Sequence, residues 1–169
     1  GDFITLKRGY DLPEGDRIPG NYPIVSSSGI TGSHAEFKAE GPGVVTGRYG
    51  TLGEVFYIPG RFWPLNTSLY VQNFKGNQPK FVSYYLQTIL SANFNAAGAV
   101  PGVNRNTLHK LRVPRPPKTQ KQIAAILSTY DDLIENNKRR ITLLEKMAEE
   151  IYREWFVRLR FPGHERVKL

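Results

Sequence analysis

The sequence predicts an α+β protein. A mixed globular domain over 1–117 is followed by a long α-helix over 118–160 that forms an antiparallel coiled coil with a partner helix, and by a tail or linker over 161–169. Three observations predict this. All Pro but one and all Gly but one lie at or before Pro114-Arg115-Pro116-Pro117. Ahead of that cluster, short β-type runs alternate with turn signals. Beyond it, apolar residues recur alternately four and three positions apart, which is a heptad seam.

In chain order, the β-type runs are Tyr22 to Ser26, Gly43 to Thr46, Glu54 to Ile58, Ser68 to Gln72 and Leu111 to Val113. One helix interrupts them, because Val82, Tyr85, Leu86, Ile89 and Leu90 recur at helical spacing between Lys80 and Ala92. Residues Ala96 to Asn106 carry no obvious element and fit either a functional loop or a plain surface connection.

The long helix opens at Thr119-Gln120-Lys121-Gln122, a capping-box match placed just after prolines. Its seam is Ile123, Leu127, Tyr130, Ile134, Asn137, Ile141, Leu144, Ala148, Ile151 and Trp155. From Gln120 to Arg158 a helix is roughly 60 Å long at about 1.5 Å per residue, whereas a domain of some 117 residues is about 28 Å across. Part of the apolar stripe therefore needs another helix. Asn137 is the strongly polar seam residue, near the midpoint. In an antiparallel pair the two Asn137 side chains meet near the centre and fix register; the alternative is a tolerated polar residue facing solvent. Tyr152 and Phe156 fall outside the seam, in an aromatic and basic stretch that stops at Phe161-Pro162-Gly163. They either close over a globular domain, present a docking surface or pack as ordinary helix-end residues.

Composition excludes several function classes. The 169 residues contain no Cys, so there is no disulfide framework, thiolate zinc site or cysteine nucleophile. Apolar runs are far shorter than the roughly 18–20 residues that span a bilayer, and Gly1-Asp2-Phe3-Ile4-Thr5 does not resemble a signal peptide. The expectation is a cytoplasmic protein without a membrane partner. Gly41 to Gly53 is glycine-rich, but no Gly-Lys-Ser/Thr follows, and no Gly-x-Gly-x-x-Gly opens a helix. His34, His109 and His164 are scattered, so no metal site is expected. The adjacent carboxylates Asp131-Asp132 and Glu149-Glu150 point about 100° apart on a helix, which suits a solvated face better than a shared catalytic site. No catalytic residue is expected.

The net charge is +8, which favours an anionic partner. Residues 1–117 hold 12 basic and 7 acidic groups, and residues 118–169 hold 11 and 8, so the excess is concentrated modestly in the globular part. There Lys38, Arg48, Arg61, Lys75, Lys80, Arg105, Lys110 and Arg112 are interleaved with Tyr49, Asn66, Gln72, Asn73, Asn104 and Asn106. These side-chain types contact phosphates and base edges. The densest segment is Gly47-Arg48-Tyr49-Gly50-Thr51-Leu52-Gly53. It suits backbone approach to a phosphate, and equally a β-hairpin whose glycines serve turn geometry.

Several segments together carry a family resemblance. They are Gly1-Asp2-Phe3-Ile4-Thr5-Leu6-Lys7-Arg8-Gly9-Tyr10, Ser28-Gly29-Ile30-Thr31-Gly32, Thr46-Gly47-Arg48-Tyr49-Gly50-Thr51-Leu52-Gly53-Glu54-Val55 and Trp63-Pro64-Leu65-Asn66-Thr67-Ser68-Leu69-Tyr70-Val71. A junction then runs from Val103-Asn104-Arg105-Asn106-Thr107-Leu108 through the prolines to Gln120-Lys121-Gln122-Ile123. In this order they resemble the specificity (S) subunit of type I restriction-modification systems, over nearly the whole chain. Many members have Glu-Gln where this chain has Lys121-Gln122, which leaves the capping argument intact.

The resemblance implies a non-enzymatic reader of double-stranded DNA. Such subunits carry two target recognition domains separated by two antiparallel helices, and this chain looks like one half, either a natural half-subunit or a fragment. It implies a homodimer reading a bipartite target and a modification subunit that binds S-adenosylmethionine and methylates adenine at N6. A restriction subunit that uses ATP and Mg joins through the complex, and this chain itself needs no cofactor. On this reading DNA contacts are expected from the loops around Ser26 to His34, Arg48 to Thr51 and Val100 to Asn106. The candidate residues are Ser27, Ser28, His34, Lys38, Arg48, Tyr49, Thr51, Lys75, Asn104, Arg105 and Lys110. The rival classes are a coiled-coil interaction module without DNA readout and a fragment of a fused DNA methyltransferase.

Overall fold

The computed structural model describes residues 2–48, 54–94, 105–114 and 116–163. The chain divides into two compact units, Gly1–Ala124 and Ala125–Leu169.

In the first unit, β1 (Thr5–Arg8), β4 (Gly43–Gly47), β5 (Val55–Ile58) and β7 (Ser68–Asn73) form an antiparallel sheet in the order β1-β7-β4-β5. A smaller sheet has the order β3-β2-β6, built from β2 (Tyr22–Ser26), β3 (Gly29–His34) and β6 (Trp63–Pro64). There β2 pairs antiparallel with β3 and parallel with β6. Helices α1 (Pro79–Phe94) and α2 (Arg105–Lys110) follow the strands.

β4 lies inside its sheet and is buried at every position, because neighbouring strand residues point to opposite faces and both faces are covered. Val44 joins a cluster with Leu6, Leu69, Val71, Val82, Leu86, Leu90 and Leu108. Val45 joins another with Val25, Ile58, Phe62 and Tyr70. The helical spacing expected for α1 is realised: Val82, Leu86 and Leu90, four apart, are buried on the first cluster. Each such fully withdrawn side chain contributes about 1.5–3 kcal/mol. Gly43 is needed for close approach, since a Cβ there would lie only 2.2 Å from Cε1 of the fully buried Phe62.

Several expectations are corrected. Leu111 to Val113 is not a strand: the Leu111 N–H closes the α2 turn onto Leu108 O at 3.2 Å, the Leu111 side chain packs on the first cluster, and Pro114 has no N–H for a ladder. The segment Ser26 to His34 is a hairpin rather than a loop, with Ser26 paired to Gly29. Arg105 and Asn106, expected in a loop, open α2; the rest of that loop, from 96 to 104, lies outside the described residues.

α3 (Gln120–Tyr152) starts where the spacing places it. Its first turn belongs to the first unit. Gln120 Oε1 accepts the Gln78 N–H at 2.9 Å, Gln120 Nε2 donates to Asn77 Oδ1 at 2.8 Å, and Ala124 is buried. The change in composition at Pro117 thus precedes the end of this compact unit, Ala124, by one helical turn and more.

In the second unit, α3 continues to Tyr152, followed by a wider π-turn over Arg153–Val157, closed by the Arg158 N–H on Arg153 O at 2.9 Å. The expected helix to Arg158 is therefore α-helical only as far as Tyr152. Seam residues Leu127, Tyr130, Ile134, Ile141, Leu144 and Ile151 are exposed, and so are Ile126, Leu133, Leu143 and Met147. Asn137 and Ala148 are exposed with them, Ile123 in the first unit is half-buried, and Trp155 packs edge-on against Phe161 with centroids 5.1 Å apart. Glu135–Arg139 and Glu149–Arg153 pair four residues apart, at 3.3 and 2.6 Å. Tyr152 and Phe156 touch each other at 5.3 Å, and the helical run ends with Leu159 at φ 52°.

Candidate nucleic-acid interface

The predicted contact residues fall into separate groups, set by the ends of the four-stranded sheet. At one end lie the last residue of β4, the start of β7 and the end of β1, because Gly47 pairs with Ser68 and Arg8 with Leu69. Beside them stands the β2–β3 turn. Neither Ser27 nor Ser28 has positive φ, and Gly29 takes it at 102°, as in a type I turn closed by a glycine bulge. Ser26 Oγ accepts the Ser28 N–H at 3.1 Å and donates to Gly29 O at 3.2 Å. A Cβ at Gly47 would press on Ser27, so the turn abuts the end of β4.

Arg48 leaves β4 at this point. Its N–H donates to Thr67 O at 3.0 Å and its Nη1 donates to Asn66 O at 3.0 Å. Arg8, exposed at the end of β1, donates from Nε to the same Asn66 carbonyl at 3.2 Å. Asn66 Nδ2 in turn donates to Asp11 Oδ1. Ser27, Ser28 and Arg48 were singled out from sequence; Arg8 was not. No local signal could have found it, since its partner is 58 residues away.

Lys75, Arg105 and Lys110 belong to the opposite end. Lys75 lies in the turn after β7 with φ 50°, its N–H on Asn73 Oδ1 at 2.8 Å, and Arg105 and Lys110 bound α2. β7 separates the two groups by about 17 Å at roughly 3.4 Å per residue. Between Lys75 and α2, His109 Nε2 accepts the Leu6 N–H at 3.0 Å. Burial pushes the His109 pKa below its ordinary value, and the charges of Arg105 and Lys75 add to this. This end also borders a groove of about 910 Å³, lined by Phe3, Leu6, Leu108, His109, Pro114 and Gln120 among others.

His34 does not join either group, and its expected place among the DNA contacts is corrected. It is buried, Nδ1 accepts the Ile18 N–H at 3.0 Å, and its ring meets Trp63 edge-on at 5.0 Å. A side chain so enclosed supports the β3 end and cannot reach a base edge. Lys38 lies over the Trp63 ring at 4.9 Å. Nearby, Lys7 Nζ donates to Tyr10 Oη at 3.0 Å, and Tyr10 Oη lies 3.3 Å from Tyr70 Oη. The Lys7 bond lowers the Tyr10 pKa, whereas burial raises that of Tyr70. Tyr49, Thr51 and Asn104 lie outside the described residues. Among the described residues, no cluster of His, Asp and Glu could hold a metal ion, and no helix is long and apolar enough to cross a membrane.

Comparison with known proteins adds three findings. Residues 1–146 match the family model described as type I restriction modification DNA specificity domain. A stretch of 79 residues is 38% identical to the type I restriction enzyme MjaIX specificity subunit of Methanocaldococcus jannaschii, covering 46% of this chain and 17% of that protein. The fold is similar to the crystal structure of a type I restriction-modification system S subunit from M. genitalium, with a TM-score of 0.70 and 21% identity over 91% of this chain and 43% of that one. The chain thus spans less than half the length of these relatives.

Proposed function

The chain belongs to the family of type I restriction modification DNA specificity domains, and from that premise we propose that it reads one half of a bipartite DNA sequence for a methyltransferase complex. The family supplies specificity and is non-catalytic. The observation that carries the proposal is the extent of the match, from residue 1 to residue 146, through the globular unit and most of α3.

Basic side chains at the sheet ends seat the phosphate backbone, and polar groups on the β2–β3 turn reach base edges in the major groove. The apolar face exposed along α3 supports pairing with a second helix, antiparallel in a homodimer centred near Asn137. Two domains held at a fixed separation then read a palindromic, interrupted site, the helices acting as its ruler. The modification subunit docks on this scaffold and brings S-adenosylmethionine. A restriction subunit joins through the complex and brings ATP and Mg, and the assembly works in the cytoplasm.

Copurification with a modification subunit, combined with solution mass and footprinting of the dimer, tests this reading. The expected result is a dimer that copurifies and protects two half-sites about the same axis. A dimer that protects a single continuous site refutes the ruler, and a chain that binds no duplex with or without the modification subunit refutes DNA reading. Asn137→Leu is expected to keep the dimer but loosen its register.

A further inference from the structure

Leu6 belongs to the first cluster, so its neighbour Lys7 stands on the opposite face of β1, where it pairs across the ladder with Tyr70. Lys7 Nζ donates to Tyr10 Oη at 3.0 Å. Tyr70 is buried, and its hydroxyl has the Tyr10 hydroxyl, 3.3 Å away, as its hydrogen-bond partner. A buried O–H is satisfied only by donating, so Tyr10 Oη accepts from both neighbours and its own O–H is left to donate away from them. The hydrogen bonds with Lys7 and Tyr70 lower the Tyr10 pKa, and the charges of Lys7 and Lys38 add to this. Among the described residues no carboxylate pairs with either lysine, and Asp11, next in sequence, is taken up by the Asn66 side-chain amide. Lys38 lies over Trp63, whose buried Nε1 has no acceptor among the described residues. The cluster is thus rich in donors and positive charge and poor in acceptors, the complement of an oxyanion.

The location matches that chemistry. Lys38 is exposed, Lys7 and Tyr10 are half-buried, and Tyr10 O accepts the Asn66 N–H at 3.0 Å, which ties the cluster to the sheet end beside the β2–β3 turn. We propose that Lys7, Tyr10 and Lys38 form a contact site for the DNA phosphate backbone, the Tyr10 hydroxyl donating to a phosphate oxygen and the two ammonium groups neutralising its charge. This rests on the DNA-reading function above and adds to it the residues Lys7 and Tyr10 and the class of ligand atom they meet. The contact fixes the duplex relative to the β2–β3 turn and carries no base preference itself.

The test measures binding to two unrelated duplexes of about 30 base pairs by fluorescence anisotropy over about 50–200 mM NaCl, with the modification subunit present throughout. Variants are Tyr10→Phe, Lys7→Gln, Lys7→Arg and Lys38→Gln, each first checked for an unchanged melting temperature. The slope of log affinity against log salt counts neutralised phosphates, at about 0.9 per phosphate. Lys7→Gln and Lys38→Gln are each expected to lower the slope by about that amount, whereas Lys7→Arg keeps it. Tyr10→Phe removes a donor but no charge, so affinity falls on the order of tenfold at an unchanged slope, and equally on both duplexes. Tyr10→Phe binding like the parent overturns the hydroxyl contact, and an unchanged slope in either glutamine variant overturns the phosphate site. Weaker copurification of the modification subunit at an unchanged DNA slope assigns the cluster to a protein contact and overturns the proposal as well. Failure of the unaltered complex to bind duplex would instead remove the DNA-reading function on which the site rests.

Discussion

Replacing Ile141 by Ala tests the helix pair quantitatively. Ile141 stands on the seam with 56% of its surface exposed, and that surface is what a partner helix would cover. The substitution removes three carbons, and at about 0.8 kcal/mol per buried methylene, scaled by that exposure, the loss is about 1.3 kcal/mol per copy. In a two-fold dimer each substitution counts twice, giving about 2.7 kcal/mol, or roughly a hundredfold rise in dimer Kd at 1.4 kcal/mol per decade. Ala is the better helix former, so the isolated helix does not weaken. Sedimentation equilibrium across a dilution series reads the Kd, with helicity followed in parallel. Leu143→Ala is the control: Leu143 is equally exposed, at 59%, but lies off the seam, and its Kd should move less than about threefold. Equal effects at 141 and 143, or none at 141, would refute the seam as the contact surface.

Two further outcomes follow from the first unit. His109 is held neutral in the fold, with its pKa below the unfolded value of 6.5, so its contribution is complete above that value and is lost as pH falls from it toward the folded pKa. His109→Gln keeps an acceptor for the Leu6 N–H without titrating, and urea midpoints measured from pH 7.5 to pH 5 should fall less steeply than in the parent; identical slopes would contradict the assignment. Gly43→Ala places a methyl 2.2 Å from Phe62 Cε1 and should cost about 1–3 kcal/mol by overpacking, with partial recovery on adding Phe62→Leu, both read as denaturant midpoints.

Legibility in the sequence followed burial. Gly43 to Thr46 and Ser68 to Gln72 could be read as strands because β4 and most of β7 are buried on both faces, which concentrates Val44, Val45, Leu69, Tyr70 and Val71 in two short runs. β3 could not: its four middle residues are exposed, so Ile30-Thr31-Gly32-Ser33 carries no alternation to detect. β1 buries Leu6 alone in the middle of a polar edge strand, and β6 has two residues. Leu111 and Val113 gave the opposite error, since an apolar side chain can be recruited to a core by an irregular segment. For the site, residue type and turn glycines were enough to single out Ser27, Ser28 and Arg48. The convergence of Arg8 on Asn66, and the enclosure of His34 by Ile18 and Trp63, are created by pairing between distant strands and leave no local pattern.

The direction of the helix pair is open to a test that exploits the absence of cysteine from the chain. A disulfide needs Cα atoms about 4.4–6.8 Å apart. In a parallel pair every seam residue faces its own copy, so single cysteines at 127, 137 and 148 all cross-link. In an antiparallel pair centred near Asn137, a residue ten positions from the centre is about 15 Å from it along the axis, and its own copy is about 30 Å away. Asn137→Cys alone should then cross-link, whereas Leu127→Cys and Ala148→Cys should fail singly and join each other when the two variants are mixed. Since an apolar seam favours association in either direction, Asn137 burial cannot decide between the two arrangements, but the pattern of self and mixed cross-links can. Self-linking at all three positions would rule out the antiparallel ruler, and with it the two-fold relation between half-sites that the proposed reading requires.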